Sequence, residues 1–377
     1  MKILILACNT GEGHNSTATA IIQAFERRGV PCDRGDSLAF LSRRVSSVVR
    51  TAHEQIYRHI PGAFKVGYRA AEEHPSAFQR QSLTYRLLAS GAKRLKQFIE
   101  EGGYDIVVCT HAFSALMVTG MLEKYPDMTA KFLFVATDYT CSPSVEQCRM
   151  EAFFIPDASL IDEFVSKDVE AARIQPVGLP VREPFLHVLD KAQARERCGI
   201  PADAKHLLVM CGSMGCGPLE KMTEILSERL PPDTMATVIC GTNKKLYRTL
   251  CRRFGDHGRV RILGYVQNVP ELMDASELYL TKPGGISVTE ATVKGLPMVL
   301  VNAVAGCEEH NLRYCLERGM AVTAEAPHEL AELCLTLLSD GERLEEMKRA
   351  LAAHAHPDAA ERIVQYVIGE DGHDGMA

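Results

Sequence analysis

Several features that mark other functional classes are missing from this sequence. No apolar run approaches the ~20 residues that a helix needs to span a bilayer, so the sequence predicts no transmembrane segment. The 13 cysteines include no CxxC pair, which argues against zinc and thioredoxin-type chemistry. Tryptophan is absent, and no Asp-x-Asp metal-binding triplet occurs. We therefore expect neither a bound metal nor a cofactor.

The cysteines stand where free thiols are common. A thiol at the end of an apolar strand behaves as a small buried hydrophobic group. This placement argues against disulfides and predicts a reducing, cytoplasmic compartment. The cysteines at such strand ends are Cys8, Cys109, Cys211 and Cys240.

The net charge of −6 conceals one strongly basic segment. Between Arg43 and Lys96 there are eleven basic residues and only three acidic ones. The segment fits either a solvated helical face or contact with an anionic surface, which a membrane would supply. The acidic overall balance gives no indication of nucleic-acid binding.

Short apolar runs alternate with helix-period segments along the whole chain, which predicts an α/β fold. Most runs are continuous rather than alternating, as expected for parallel strands that helices cover on both faces. The predicted strands are Lys2–Cys8, Asp105–Thr110, Lys131–Asp138, Ala152–Pro156, His206–Gly212, Ala236–Gly241, Val260–Val266, Leu278–Lys282 and Met298–Asn302.

A chain of 377 residues is too long for one ordinary domain and predicts two. Glycine and proline cluster between Gln175 and Pro184, and a new strand–loop–helix series begins at His206. We place an N-terminal domain at residues 1–178 and a C-terminal domain at residues 179–357. Residues 358–377, after a His356-Pro357 break, form a helix and tail expected to pack away from the second domain.

The first strand leads into the loop Gly11-Glu12-Gly13-His14 and then into a helical run. Glycines between a strand and a helix let backbone amides approach a ligand, and a helix N-terminus favours negative charge. His14 is placed at the carboxyl end of a parallel strand, where α/β sites form, and a histidine there can act as a base near neutral pH. A helix-capping or otherwise hydrogen-bonded histidine fits the local sequence equally well.

Two further glycine loops lie in the second half of the chain. The loop Gly212-Ser213-Met214-Gly215 can hold a diphosphate by its amides or form an ordinary tight turn. In the other, Pro283-Gly284-Gly285, the two glycines allow close backbone approach, and Ser287 and Glu290 fall on the first turn of the next helix. The carboxylate of Glu290 can accept hydrogen bonds from both hydroxyls of a ribose, or it can accept them from backbone amides as a capping-box residue.

Together these motifs resemble the monogalactosyldiacylglycerol synthase and processive diacylglycerol glucosyltransferase family. A more distant resemblance is to the enzyme that adds N-acetylglucosamine to lipid-linked peptidoglycan precursors. The pattern K-P-G-G-x-[ST]-x-x-E-A-x-x-x-G-x-P is met from Lys282 to Pro297. Other matching positions are Gly306, Glu308 and Asn311 for G-x-E-x-x-N, Gly11–His14 for G-x-G-H, and the segments Cys240–Asn243, Gly264–Val266, Thr110–Phe113 and Thr137-Asp138.

The resemblance implies a GT-B fold, in which two Rossmann-like domains face a cleft. It implies an inverting glycosyltransferase that moves a hexose from a UDP-sugar to a membrane lipid, with diacylglycerol as the expected acceptor. The donor would bind mainly to the C-terminal domain. By carry-over, Glu290 would hold the ribose, the Gly212–Gly215 loop with Ser287 the diphosphate, the backbone near Val266 the uracil, and Glu308 and Asn311 the sugar.

The acceptor is expected against the N-terminal domain, beside the loops that carry Gly11, Gly13 and His111. We favour His14 as the base that removes the acceptor hydroxyl proton, with Asp138 as alternative or partner. The basic segment is expected to face an anionic membrane, which predicts a peripheral protein on the inner face of the cell membrane. Its first members are Arg43, Arg44, Arg50 and Arg58.

Two departures from the family pattern leave questions open. Cys307 stands where the family usually has glutamine, which leaves the identity of the sugar open. Tyr139-Thr140-Cys141 follows Asp138 where many members have histidine and tryptophan, which leaves acceptor recognition open. Two other classes also remain: a UDP-sugar epimerase of the same architecture, and a non-catalytic protein that binds a nucleotide sugar or a lipid.

Overall fold

A computed structural model describes residues 1–8, 12–41, 82–215, 217–303 and 306–369 of the chain. These residues form two units. The first unit holds the described residues up to Glu183, residues 306–307, and those from His356 onward. The second unit holds residues 184–303 and 308–355.

The first unit is built on a parallel six-stranded sheet. Its strands are β1 (Ile3–Ala7), β2 (Cys32–Asp36), β3 (Ile106–Cys109), β4 (Lys131–Val135), β5 (Ala152–Ile155) and β6 (Ile174–Pro176). Their order is β2-β1-β3-β4-β5-β6. The inner strands β1, β3 and β5 are buried at every position, because helices cover the sheet, and this explains their continuous apolar runs.

Helices of the first unit include one that comes from the far end of the chain. They are α1 (Glu12–Arg27), α2 (Leu83–Ala89), α3 (Ala92–Gly102), α4 (Ala112–Lys124), α5 (Ile161–Ser166) and α15 (Ala359–Ile368). In α15, Ile363 and Val364 are fully buried in the same core as Phe25 and Phe154, and the Tyr366 ring meets Phe154 edge-on at 5.2 Å. Burying each such aliphatic side chain contributes about 2 kcal/mol, which holds α15 on the first unit.

The second unit has a parallel six-stranded sheet of its own. Its strands are β7 (Lys205–Met210), β8 (Thr234–Ile239), β9 (Val260–Leu263), β10 (Leu278–Thr281), β11 (Met298–Leu300) and β12 (Ala321–Thr323). The order β9-β8-β7-β10-β11-β12 is the doubly wound Rossmann arrangement, in which the chain starts in the middle and builds outward in both directions.

Short connections and helices complete the second unit. The helices are α6 (Glu183–Leu186), which begins at the boundary, and then α7 (Lys191–Cys198), α8 (Leu219–Arg229), α9 (Lys244–Phe254), α10 (Val269–Asp274), α11 (Gly285–Val293), α12 (Cys307–Glu317), α13 (Pro327–Ser339) and α14 (Gly341–His354). The α/β fold with parallel sheets that the sequence predicts is thus confirmed. The strands β2, β6 and β12, which lie at sheet edges, were not among the predicted ones.

Candidate active site

Doubly wound sheets bind ligands beyond the carboxyl ends of their strands, where the strand order reverses. In the first unit the reversal lies between β1 and β3, and the loops after these strands lead to His14 and His111. In the second unit it lies between β7 and β10, which are followed by the Gly212–Gly215 loop and by Lys282. Both reversal points therefore coincide with motifs that the sequence marks as candidates.

His14, in the first turn of α1, is held in one tautomer. Its Nδ1 lies 2.9 Å from the carbonyl oxygen of Thr110 and 3.0 Å from the hydroxyl oxygen of Thr137. A carbonyl oxygen can only accept, so Nδ1 carries the proton and Nε2 keeps its lone pair. Burial lowers the pKa of His14 to about 4, an effect that the hydrogen bond to Thr110 partly offsets. The ring is therefore a neutral base at pH 7.

His111 is held in the opposite tautomer beside it. It is the N-cap of α4, and its Nδ1 accepts a hydrogen bond from the backbone amide of Phe113 at 2.9 Å. Since Nδ1 accepts, the proton of the neutral ring lies on Nε2. The ring centroids of His14 and His111 are 4.3 Å apart, with 62° between the ring planes. The two adjacent neutral rings therefore carry their protons on different nitrogens.

Asp138 lies on a loop after β4 that α5 holds in place. Glu163 accepts hydrogen bonds from the Thr140 hydroxyl at 2.7 Å and from the Cys141 amide at 3.0 Å. Lys167 donates to the same carboxylate at 3.2 Å and to the Cys141 carbonyl at 2.6 Å. Burial raises the pKa of Glu163, but the Thr140 hydrogen bond and the charge of Lys167 outweigh it, so the pKa lies below its ordinary value. A charged Glu163 therefore fastens the loop, and Asp138 on it is partly accessible.

The two glycine-bearing loops after β7 and β8 interlock. The Ser213 carbonyl accepts from the Thr242 amide at 2.8 Å, and the Asn243 side chain donates to the Gly215 carbonyl at 3.1 Å. Gly215 has a φ of +57°, and a Cβ there would lie 2.1 Å from the Cys240 carbonyl oxygen. Glycine is therefore required at this position, both for its conformation and for the close approach of the two backbones.

Lys282 connects the loops after β7, β10 and β11. Its Nζ lies 2.7 Å from Oε1 of Glu308, in the first turn of α12, and both side chains are largely buried. A Cβ added to Gly212 would lie 2.8 Å from Cε of Lys282, so the lysine side chain covers this glycine. Asn311 is fully buried and donates to the Pro283 carbonyl at 3.0 Å. These contacts hold a cation and a carboxylate at the reversal point of the second sheet.

The other predicted donor-site residues lie on α11 and after β9. Gly284 is the N-cap of α11, which begins at Gly285 and carries Ser287 and Glu290. Glu290 is only 6% exposed. Val266 follows β9 and is partly accessible. Backbone amides at the start of α11 make an anion favourable there.

Some of the predicted residues lie outside the described part of the chain: Gly11 and the basic residues Arg43, Arg44, Arg50 and Arg58. Gly13 is described and lies in the first turn of α1. Across the described residues, no helix is both long enough and apolar enough to cross a bilayer.

Three residues with clear contacts here had no role in the sequence interpretation. Thr110 and Thr137 hold His14, and Glu163 holds the Asp138 loop. The two threonines lie within motifs that the sequence does single out, next to His111 and Asp138, so their neighbourhood was a usable signal. Glu163 lies in an ordinary helical segment with no motif around it.

Comparison with known proteins agrees with both halves of the chain. Residues 14–181 match the monogalactosyldiacylglycerol (MGDG) synthase family, and residues 206–363 match the glycosyltransferase family 28 C-terminal domain. A processive diacylglycerol beta-glucosyltransferase from Bacillus licheniformis is 26% identical over 369 residues, covering 97% of this chain and 94% of the relative. The protein of the same description from Bacillus subtilis is 24% identical over 371 residues, covering 98% and 95%.

Solved structures share the fold. MurG from Acinetobacter baumannii superposes with a TM-score of 0.64 at 14% identity, covering 98% of this chain and 99% of that one. UDP-GlcNAc 2-epimerase from Neisseria meningitidis, bound to UDP-GlcNAc, gives 0.66 at 14% identity, covering 98% and 100%. At such identities the likeness establishes a GT-B-like fold and not the reaction. The sequence relatives and the two family matches decide the reaction class: the chain belongs to the monogalactosyldiacylglycerol synthase and family 28 group of glycosyltransferases.

Proposed function

We propose that this glycosyltransferase moves glucose from UDP-glucose to the hydroxyl of diacylglycerol, with inversion at the anomeric carbon. The observation that carries the proposal is the tautomer of His14, which the Thr110 carbonyl imposes. It leaves Nε2 of a neutral histidine as a base at the carboxyl end of the first sheet. The choice of glucose and diacylglycerol follows the full-length relatives, which are diacylglycerol beta-glucosyltransferases.

In the proposed step, the acceptor hydroxyl gives its proton to Nε2 of His14 while its oxygen bonds to the anomeric carbon. The bond between that carbon and the diphosphate oxygen breaks, and its electron pair leaves with UDP. A single displacement of this kind inverts the anomeric configuration. Asp138, on its fastened loop after β4, is the alternative base or a partner of His14.

We assign the donor to the second unit. Glu290 would accept hydrogen bonds from the ribose hydroxyls, and the backbone near Val266 would contact the uracil. The amides of the Gly212–Gly215 loop, with Ser287 at the start of α11, would hold the diphosphate through oriented dipoles. Glu308 would face the sugar. Asn311, through its bond to Pro283, would keep the loop that carries Gly284 and Gly285 in place.

The decisive experiment measures UDP release from UDP-glucose and from UDP-galactose, with vesicles that contain or lack diacylglycerol. We expect release that depends on both UDP-glucose and diacylglycerol, with a glucosylated lipid as product. His14→Ala should reduce the rate about 10²- to 10⁴-fold, the usual contribution of a general base. His328→Ala, an exposed histidine on α13, is the matched control and should leave the rate unchanged.

Other outcomes point to the alternative functions. Conversion of the UDP-sugar into an isomer without release of UDP would indicate an epimerase. Binding of UDP without turnover of either sugar would indicate a non-catalytic protein. If His14→Ala and Asp138→Ala both keep nearly full transfer, the assignment of the base is wrong.

We also propose that the protein associates peripherally with an anionic membrane on the cytoplasmic side. Basic residues near such a surface contribute about 1 kcal/mol each. Replacing Arg43, Arg44, Arg50 and Arg58 together should therefore release the protein from vesicles that contain anionic lipid. Unchanged co-sedimentation with those vesicles would show that the basic segment is a solvated face and does not bind the membrane.

A further inference from the structure

Two oxygen atoms face Nδ1 of His14, and they come from the ends of two neighbouring strands. Thr110 follows β3 and Thr137 follows β4, and these strands pair in parallel. The Thr110 carbonyl oxygen lies 2.9 Å from Nδ1, and the Thr137 hydroxyl oxygen lies 3.0 Å from it. Because the carbonyl can only accept, Nδ1 carries the proton of the neutral ring. The Thr137 oxygen therefore faces this N–H as a second acceptor and cannot donate its own proton to Nδ1.

Thr110 already fixes the ring without this second acceptor. Its carbonyl sets the tautomer, and its hydroxyl donates to the backbone carbonyl of His14 at 3.4 Å. Thr110 is fully buried, so both contacts are shielded from water. The neutral ring needs nothing more to keep its orientation. We therefore look for the contribution of the Thr137 hydroxyl in another protonation state of His14.

That state is the imidazolium that forms when His14 takes a proton on Nε2. Burial makes this cation costly, and it lowers the pKa of His14 to about 4. A hydrogen bond from a charged donor is roughly twice as strong as one from a neutral donor. The bond from Nδ1 to the Thr137 oxygen therefore strengthens as the proton arrives at Nε2. An interaction that is stronger in the transition state than in the ground state lowers the barrier.

We infer that Thr137 is a positioning residue whose hydroxyl oxygen stabilises the positive charge that develops on His14 during transfer. The inference rests on the proposed function, because it requires His14 to be the base. The acceptor hydroxyl gives its proton to Nε2, its oxygen bonds to the anomeric carbon, and the diphosphate leaves with the electron pair of the broken bond. Nδ1 keeps its proton throughout, and Thr137 neither gains nor loses one.

The first experiment measures glucose transfer from UDP-glucose to vesicles containing diacylglycerol. Thr137→Val keeps the branched shape and removes the hydroxyl, and Thr137→Ser keeps the hydroxyl. For Thr137→Val we expect kcat to fall about 10-fold, the difference between hydrogen bonds to charged and to neutral groups. The KM for UDP-glucose and the Tm should stay as in wild type, and Thr137→Ser should recover most of the rate. Thr323→Val, which removes a hydroxyl that donates to the Leu300 carbonyl in the second unit, is the matched control and should transfer like wild type.

A double-mutant cycle tests whether Thr137 acts through His14. Residues that share one interaction have non-additive effects, whereas independent residues have additive ones. We therefore expect Thr137→Val to cause no further loss of rate when it is added to His14→Ala.

The other results count against the inference. A wild-type kcat in Thr137→Val would show that the hydroxyl does not assist the step, and an equal loss in Thr137→Ser would assign the effect to packing. A further 10-fold loss in the His14→Ala background would show that Thr137 acts independently of His14. Failure of wild type itself to glucosylate diacylglycerol would overturn the proposed function, a result distinct from an active wild type with an equally active Thr137→Val.

Discussion

The pH dependence of catalysis tests the environment of the base. A histidine in water has a pKa of about 6.5 and loses its ability to accept a proton below that pH. In this structure burial lowers the pKa of His14 to about 4, and the Thr110 hydrogen bond only partly offsets this. The base should therefore stay deprotonated across the whole physiological range and well into acid.

The size of the effect follows from the two pKa values. At pH 6 about 75% of a solvated imidazole would be protonated, against about 1% of a ring with the pKa of His14. We therefore expect kcat/KM for transfer to be nearly constant from pH 8 down to about pH 5 and to fall only as the pH approaches about 4.

The assay is the initial rate of UDP release with UDP-glucose well below its KM and vesicles of fixed composition, at pH 4.5 to 8. A thermal unfolding curve at each pH excludes loss of fold as the cause of a fall in rate. His14→Ala supplies the control, because its residual rate should show no fall in acid that comes from protonation of His14. An acid limb centred near pH 6.5 in wild type would contradict the buried, backbone-anchored ring, or the role of His14 as base.

Three predictions concern stability. In urea titrations, Gly215→Ala should lower the free energy of unfolding by about 1–2 kcal/mol more than Gly295→Ala does. Both glycines have positive φ, but only a Cβ at Gly215 would clash with backbone. Equal losses in the two variants would contradict the interlocked loops. Lys294→Met breaks the ion pair between Lys294 and Asp274, whose side chains are 0% and 1% exposed, respectively. It should lower the free energy of unfolding by about 3–5 kcal/mol in the same titration, and a loss below about 1 kcal/mol would refute this prediction. Burial lowers the pKa of His206 to about 3, so between pH 6.5 and pH 3 the unfolded chain binds a proton that the folded chain does not. The contribution of His206 to the free energy of unfolding is therefore complete above pH 6.5 and falls by about 1.4 kcal/mol per pH unit towards pH 3. A His206→Gln variant whose stability keeps the same pH slope would disprove this prediction.

The strands that the sequence missed, β2, β6 and β12, all lie at sheet edges, where β9 is the one edge strand of the described sheets that it predicted. A central strand such as Ile106–Cys109 is buried on both faces and must be apolar throughout, so it is visible in a single stretch of sequence. Strand β2, Cys-Asp-Arg-Gly-Asp, pairs with β1 alone and buries only its glycine, so its sequence has no continuous apolar run. Its strand conformation comes from the neighbouring β1.

The candidate site residues likewise divide into those that a local sequence pattern indicates and those whose role depends on distant contacts. Glycine loops, a histidine after the first strand and a carboxylate after a glycine pair are local patterns, because turn geometry and helix starts depend on a few adjacent residues. They sufficed to indicate where a site would form. They left open whether His14 is a base or a structural histidine, since the choice depends on a carbonyl 96 positions away.

The sequence by itself therefore determined the α/β class, the central strands and the places where glycine allows a ligand to approach. Each of these depends on interactions within a few residues. Only the tertiary structure decided the tautomer of His14, the fastening of the Asp138 loop by Glu163, and the contact of Lys282 with Glu308. These features arise from single hydrogen bonds between segments that are distant in the chain, and they exist only once parallel strands bring their carboxyl ends to one edge of a sheet.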